Sequence, residues 1–441
     1  MSTTTITPLP VYVEPSLPEV HAPVDVTRPA STLKRLMGFI GPGFLIAVGY
    51  MDPGNWATDI AGGARFGYTL LFVIMASNLM AVLLQSLSLK LGVATDRDLA
   101  QLCREHFGMR WNIALWLGAE VAIAACDLAE VIGSAIALEL LFHIPLLMGV
   151  LLTACDVLAL LAMERFGFRR LEALVMVLIG TIVGLFALQI VLSRPDVLPA
   201  LQSLVIPSSQ IARNPEMLLL AVGILGATVM PHNLYLHSAL VLKKDYVRNS
   251  EGKREAIKLG NIDSALALTV ALFVNAAILV VAAAAFHRTG HFEVAAIADA
   301  YKLLSPLVGA AGASTLFAVA LLASGQNSSL TGTMAGQVVM EGHVSLRVAP
   351  WLRRLITRLL AIVPAVIVVA CTGEQGTERL LILSQVILSV QLSFAVVPLV
   401  LFTSNRKLMG EFVNGRVTKI AAWTVAVVIA ALNGWMLLQM A

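Results

Sequence analysis

Charge is scarce in this chain. Lys, Arg, Asp and Glu make up 13% of its 441 residues, about half their share in an average soluble domain. With 58% apolar residues and a mean hydropathy of +0.85, that scarcity excludes a soluble globular protein. Cysteine is nearly absent: Cys103, Cys126, Cys155 and Cys371 show no CxxC spacing, so neither a disulfide framework nor a cysteine metal site is implied. No HExxH or other catalytic pair occurs, which argues against an intramembrane metalloenzyme. The expectation is a non-enzyme with no resident cofactor. Residues 1–33 lack the basic start and apolar core of a secretory signal. They hold 6 of the 18 prolines and read as a disordered cytoplasmic tail.

Apolar runs near the roughly 20 residues that span a bilayer are abundant. They recur about 11 times, over 36–64, 68–89, 111–141, 145–163, 171–193, 215–242, 262–286, 307–339, 353–371, 380–402 and 419–439. Connections are short, so 34–441 reads as a single all-α polytopic membrane domain. With the N-terminus placed in the cytoplasm, 24 of the 30 basic residues fall inside, Lys243, Lys244, Arg248, Lys253, Arg254 and Lys258 among them. The inverse orientation is disfavoured by the positive-inside rule. The net charge of +3 thus reflects topology and gives no reason to propose nucleic acid.

Two of the runs are interrupted by proline, in Tyr50-Met51-Asp52-Pro53-Gly54-Asn55 and in Val229-Met230-Pro231-His232-Asn233. Proline removes a backbone donor and clashes with the preceding turn, so the first and sixth segments should break there. Broken helices survive in membranes where they line a polar cavity. Segments one to five (36–193) and six to ten (215–402) then form two copies of a five-helix unit. Five is odd, so the repeat is inverted and the breaks meet near the midplane. The last segment, 419–439, is an addition.

One break carries an acid and an amide, the other a thioether and an imidazole. A carboxylate at the bilayer centre costs about 2.5–3.5 kcal/mol on insertion scales, so Asp52 needs a cation, a proton or a polar neighbour. Asn55 offers a second hard oxygen, although both residues also suit capping of the second half-helix. Met230 is either core filler or a soft ligand that gains from late divalent metals and offers little to Mg²⁺ or Ca²⁺. Carbonyls freed near Tyr50 and Ala227 could complete the coordination. His232 could carry a proton or, neutral, steady the broken turn, and His237 reads as packing or inner-gate polarity.

The third segment places Glu120, Asp127 and Glu130 on roughly one helical face. Such acids mark ion or proton routes, or pair with basic residues, for which Arg353 and Arg354 are available. Asn78, Asn275, Gln326, Asn327 and Gln385 are intramembrane amides that can satisfy freed backbone or bridge helices. Gln385 is the best of them for the cavity. Asp59, one turn beyond Asn55, adds negative potential at an outer vestibule, and Asp156 has no evident partner.

These residues resemble the Nramp (natural resistance-associated macrophage protein) divalent-metal transporters over nearly the whole membrane region. The resemblance rests on Asp52-Pro53-Gly54-Asn55 and Met230-Pro231-His232. It is supported by Asp127-Leu128-Ala129-Glu130, Ser324-Gly325-Gln326, Gly332-Thr333, Gly336-Gln337 and Trp351-Leu352-Arg353-Arg354. It implies a LeuT-like fold and proton-coupled import of Mn²⁺ or Fe²⁺, with Co²⁺, Cd²⁺ and Zn²⁺ as further cargo, across a bacterial inner membrane. Asp52, Asn55 and Met230 would be metal ligands, joined by the Ala227 carbonyl in inward-facing states and Gln385 in more closed ones. Asp52, Glu120, Asp127, Glu130, His232, Arg353 and Arg354 would shape the proton route. No obligate protein partner is expected. The alternative on the same architecture is a Na⁺-coupled amino-acid symporter, which Met230 opposite Asp52 disfavours.

Overall fold

The computed structural model describes residues 24–25, 41–155, 168–294, 297–308, 312–346 and 348–440. Among them the chain is almost entirely helical. α1 (Pro42–Gly49) and α2 (Pro53–Phe66) make the first, interrupted segment, followed by α3 (Leu71–Thr95), α4 (Leu99–His106), α5 (Met109–Phe142), α6 (Leu146–Leu152) and α7 (Phe168–Ser193). Two short helices, α8 (Val197–Val205) and α9 (Gln210–Arg213), lead to the second interrupted segment, α10 (Pro215–Thr228) and α11 (Pro231–Leu240). The remainder comprises α12 (Ser250–Ala282), α13 (Ile297–Val308), α14 (Ala313–Val344), α15 (Pro350–Thr372), α16 (Glu374–Thr403), α17 (Arg406–Met409) and α18 (Arg416–Met440).

Among the described residues the apolar runs fall on helices, and eight spans are long and apolar enough to cross a membrane. The fourth run is described only as far as Cys155; Asp156 lies outside the described residues. Boundaries move where polar sequence continues a helix beyond the apolar stretch. The seventh run begins at residue 262 by hydropathy, yet α12 starts at Ser250, where the Asn249 side chain accepts a hydrogen bond from the Gly252 amide at 2.8 Å. Hydropathy registers contact with lipid or core, and it misses the solvated turns that an N-cap still fixes. Of the N-terminal tail, Val24–Asp25 pairs in parallel with Lys244–Asp245; the rest of residues 1–33 lies outside the described residues.

Burial separates inner helices from outer ones. The apolar window of α5 is 83% buried and that of α10–α11 94%, against 28% for α7, α15 and α18. α5 packs against α2, α14, α15 and α16, so the acids of the third segment lie among other helices while the peripheral helices present apolar side chains outward. The two interrupted segments sit in this interior.

Candidate functional site

Pro53 and Pro231 have no N–H to offer the carbonyls four residues earlier, those of Gly49 and Ala227, and both helices stop accordingly. α1 closes with Tyr50 and Met51 amides donating to the Ala47 and Val48 carbonyls at 3.1 Å each. The carbonyls beyond are taken up by side chains of other helices. Asn275 Nδ2 donates to Tyr50 O at 2.8 Å. Trp56 Nε1 donates to Met51 O at 3.2 Å, and the Ser324 hydroxyl donates to the same oxygen. Asn275 therefore satisfies freed backbone, and the Tyr50 carbonyl already has a donor. Asn233 Nδ2 reaches Ile46 O at 3.4 Å and ties the second break to the first.

Asp52, Asn55, Ala227, Met230 and Gln385 are all buried, none more than 1% exposed. Asp52 caps α2 with one oxygen only: Oδ1 accepts from the Asn55 amide at 2.8 Å. Its Oδ2 faces the Cys126 thiol at 3.9 Å. Capping is thus real but uses half of the carboxylate. Asn55 Oδ1 and Gln385 Oε1 are buried without hydrogen-bond partners, a state that is expensive unless something else satisfies them.

Close approaches show how these groups converge. A Cβ placed on Gly54 would fall on the Gln385 amide, so Gln385 lies directly over the first turn of α2. A Cβ on Gly49 would stand 3.2 Å from Met230 Sδ, which puts the sulfur against the end of α1, three residues before Asp52. On Gly226 it would meet Ser389 N at 2.7 Å, so α10 runs backbone to backbone against α16 beside Ala227 and Gln385. Asp52, Asn55, Met230 and Gln385 thus all stand at or beside the two helix breaks.

The three acids of α5 have distinct surroundings. Glu120, partly exposed, accepts from Arg353 Nη2 at 2.8 and 3.0 Å and from Trp116 Nε1 at 2.9 Å. Asp127 pairs with Arg358 at 2.7 Å. Of the available basic residues Arg353 takes Glu120, while Asp127 draws Arg358, five residues beyond Arg353 on α15, which sequence alone did not single out. Arg354 donates to the Ser329 carbonyl at 2.5 Å and to the Ser329 and Thr333 hydroxyls. Arg358 also reaches Ser329 Oγ at 2.6 Å. Glu130 is buried, with Oε1 3.7 Å from the Cys126 sulfur. Cys126, set aside for want of a CxxC spacing, therefore stands between Asp52 and Glu130.

His232 is buried beside Met230, its Nδ1 without a partner. His237 Nδ1 lies 2.8 Å from Gln85 Oε1, and Gln85 Nε2 donates to Tyr50 Oη at 2.6 Å, joining α11, α3 and the end of α1. Asp59 is 1% exposed with Oδ2 unpartnered. It lies in the packed interior of this conformation, because α2 is enclosed by α10 and α12. Ion pairs mark the two ends of the bundle. Arg65 pairs with Glu216 and, at 3.6 Å, with Glu378 at one end; Asp96 pairs with Arg248 at 2.5 Å and Lys253 at 2.7 Å at the other.

A family model described as natural resistance-associated macrophage protein-like (Nramp) matches residues 43–439. The chain is 59% identical over 425 residues to the divalent metal cation transporter MntH of Nostoc sp., covering 96% of each chain. It is similar to the crystal structure of the Eremococcus coleocola manganese transporter, with a TM-score of 0.88 and 41% identity over 95% of this chain and 90% of that one. Mhp1, a nucleobase-cation-symport-1 family transporter, aligns with a TM-score of 0.60 at 13% identity over 95% of this chain and 93% of its own, a likeness of fold alone.

Proposed function

The chain belongs to the Nramp family, and we propose that it couples the import of divalent transition-metal ions, Mn²⁺ and Fe²⁺ foremost, to protons by alternating access. It is a multi-pass membrane transporter of metal ions and not an enzyme. One observation carries the choice of site. At the breaks made by Pro53 and Pro231 stand a buried carboxylate on Asp52, two buried amide oxygens without partners on Asn55 and Gln385, and the Met230 thioether against the end of α1, which supports reading them as one site. Oxygen donors alone would suit Mg²⁺ and Ca²⁺, and a sulfur among them shifts preference toward softer divalent ions.

In this proposal the cargo binds Asp52, Asn55 and Met230. The Ala227 carbonyl, which Pro231 cannot serve, joins when the site opens inward, and Gln385 joins when it is closed. Protons leave by the acids of α5, with Asp52 exchanging toward Glu130 and then Asp127. Arg358, Arg353 and Arg354 hold the acids in place, and Glu120 lies at the far end. His232 stands beside the thioether as a second proton carrier. The two halves, 36–193 and 215–402, move about the breaks, with 419–439 outside them. The positive-inside distribution supports a cytoplasmic N-terminus in a bacterial inner membrane.

The test is Mn²⁺ uptake into proteoliposomes holding the purified protein, with and without acid outside and with excess Mg²⁺ or Ca²⁺. Uptake stimulated by external acid and indifferent to the hard ions is expected. Uptake blocked equally by Ca²⁺ would contradict a sulfur-bearing site, and uptake unaffected by a proton gradient would remove the coupling.

A further inference from the structure

We propose that Cys126 supplies a second sulfur to the cargo site and raises its affinity for the most thiophilic divalent ions, so that Cd²⁺ competes well with Mn²⁺. The proposal deepens the metal-transport function and rests on it. The side chain projects from the middle of α5 into the junction of the two breaks. Its sulfur lies 3.9 Å from Asp52 Oδ2 and 3.7 Å from Glu130 Oε1, and it shares one buried apolar cluster with Met230, Ala122 and Leu388. Cys126 is 2% exposed and takes part in no disulfide.

The thiol does not stand there alone. Asn55 Oδ1 and Gln385 Oε1, both at least nine-tenths buried, have no partners. The Gln385 amide lies over Gly54 and Asn55 follows on the same turn, whose cap is Asp52, the residue that presents Oδ2 to Cys126 Sγ. Buried oxygens left without donors, beside a carboxylate and a thiol, suit a ligand better than packing does. A structural cysteine would be expected in wholly apolar surroundings; this one faces two carboxylates.

A thioether is a weak ligand, and one sulfur among oxygens confers a modest bias. A thiol sulfur bonds soft ions far more strongly, so its addition raises affinity for Cd²⁺ more than for Mn²⁺. Bonding the metal displaces the thiol proton, and the Glu130 carboxylate is the nearest acceptor other than Asp52. The hydroxyl of serine or threonine at this position keeps a polar neighbour for Asp52 but removes the softness.

Two readouts test this. In proteoliposomes, Cys126→Ser and Cys126→Thr are expected to lower the ability of Cd²⁺ to compete with Mn²⁺ by about tenfold or more, since losing even an outer-shell partner of a ligand typically costs about 10–100-fold in metal affinity. Competition unchanged in both variants would overturn the proposal. Independently, the purified full-length protein with Cys103, Cys155 and Cys371 replaced by serine is titrated with Cd²⁺. An ultraviolet sulfur-to-metal charge-transfer band saturating at one equivalent, and lost on Cys126→Ser, is expected. Cd²⁺ bound without that band would exclude the thiol. If the wild-type protein carried neither ion, the transport function itself would fail, while the band would still report on the thiol; the two failures are therefore distinct.

Discussion

Replacing Arg358 with methionine should be among the most damaging single changes in the bundle. The guanidinium is 1% exposed and its partner Asp127 10%. It bonds Asp127 Oδ1 at 2.7 Å and Ser329 Oγ at 2.6 Å. With charge centres about 4 Å apart, the attraction is about 4 kcal/mol at an effective dielectric of 20. Desolvation of both ions offsets most of that, so the intact pair stabilises little. Removing one partner is different, because Asp127 is then left buried and uncompensated, and that costs about 3–5 kcal/mol. Unfolding entropy scales with chain length, which makes 1 kcal/mol worth roughly 1–2 °C in a chain this long, so the melting temperature should fall by about 5 °C. The assay is thermal unfolding in detergent of Arg358→Met, Asp127→Asn and the double variant. The double variant removes both charges and should recover most of the loss, with a coupling energy of about 2 kcal/mol or more. A single variant within 1 °C of wild type, or a double variant whose losses simply add, would refute the view that Asp127 depends on Arg358.

Three further outcomes are expected. Asp52→Asn keeps the cap on α2 but loses the charge, so Mn²⁺ uptake should fall to background with the melting temperature little changed; substantial uptake would place the site elsewhere. Met230→Ala should retain part of the Mn²⁺ uptake while admitting Ca²⁺ or Mg²⁺, and unchanged discrimination in a competition assay would remove the sulfur from the selectivity. Gly54→Ala drives a methyl group into the Gln385 amide, an overpacking worth about 1–3 kcal/mol. It should weaken Mn²⁺ binding, measured by isothermal titration, and pairing it with Gln385→Ala should return part of the lost stability; no relief in the pair would mean that Gln385 does not sit where the close approach to Gly54 puts it.

Much of this architecture was legible from composition. Among the described residues the apolar runs lie on helices, because a helix satisfies its own backbone in lipid. The two breaks follow from proline's missing donor. Partnerships across helices were not legible. Arg358 sits inside the apolar stretch Leu355-Ile356-Thr357-Arg358-Leu359-Leu360, and the basic pair at the helix end drew attention first. The i, i+4 spacing puts Arg354 and Arg358 on one face of α15, but spacing along one helix does not say which acid of α5 that face meets. Cys126 was passed over for a similar reason: spacing along the chain says nothing about a sulfur that meets its neighbours from α2 and α11. Nothing along the chain tells that α10 and α12 close over Asp59.

The breaks are set by covalent structure. Since the prolines remove the donors whether or not cargo is present, an arriving ion inherits an unwound junction and has no helix to melt. Loading should therefore resemble docking into a finished socket, with a small heat-capacity change, unlike the folding-coupled capture seen when a ligand must organise its own receptor. The motion that transport requires is then free to be carried by the helices on either side of the junction, which acts as a fixed pivot.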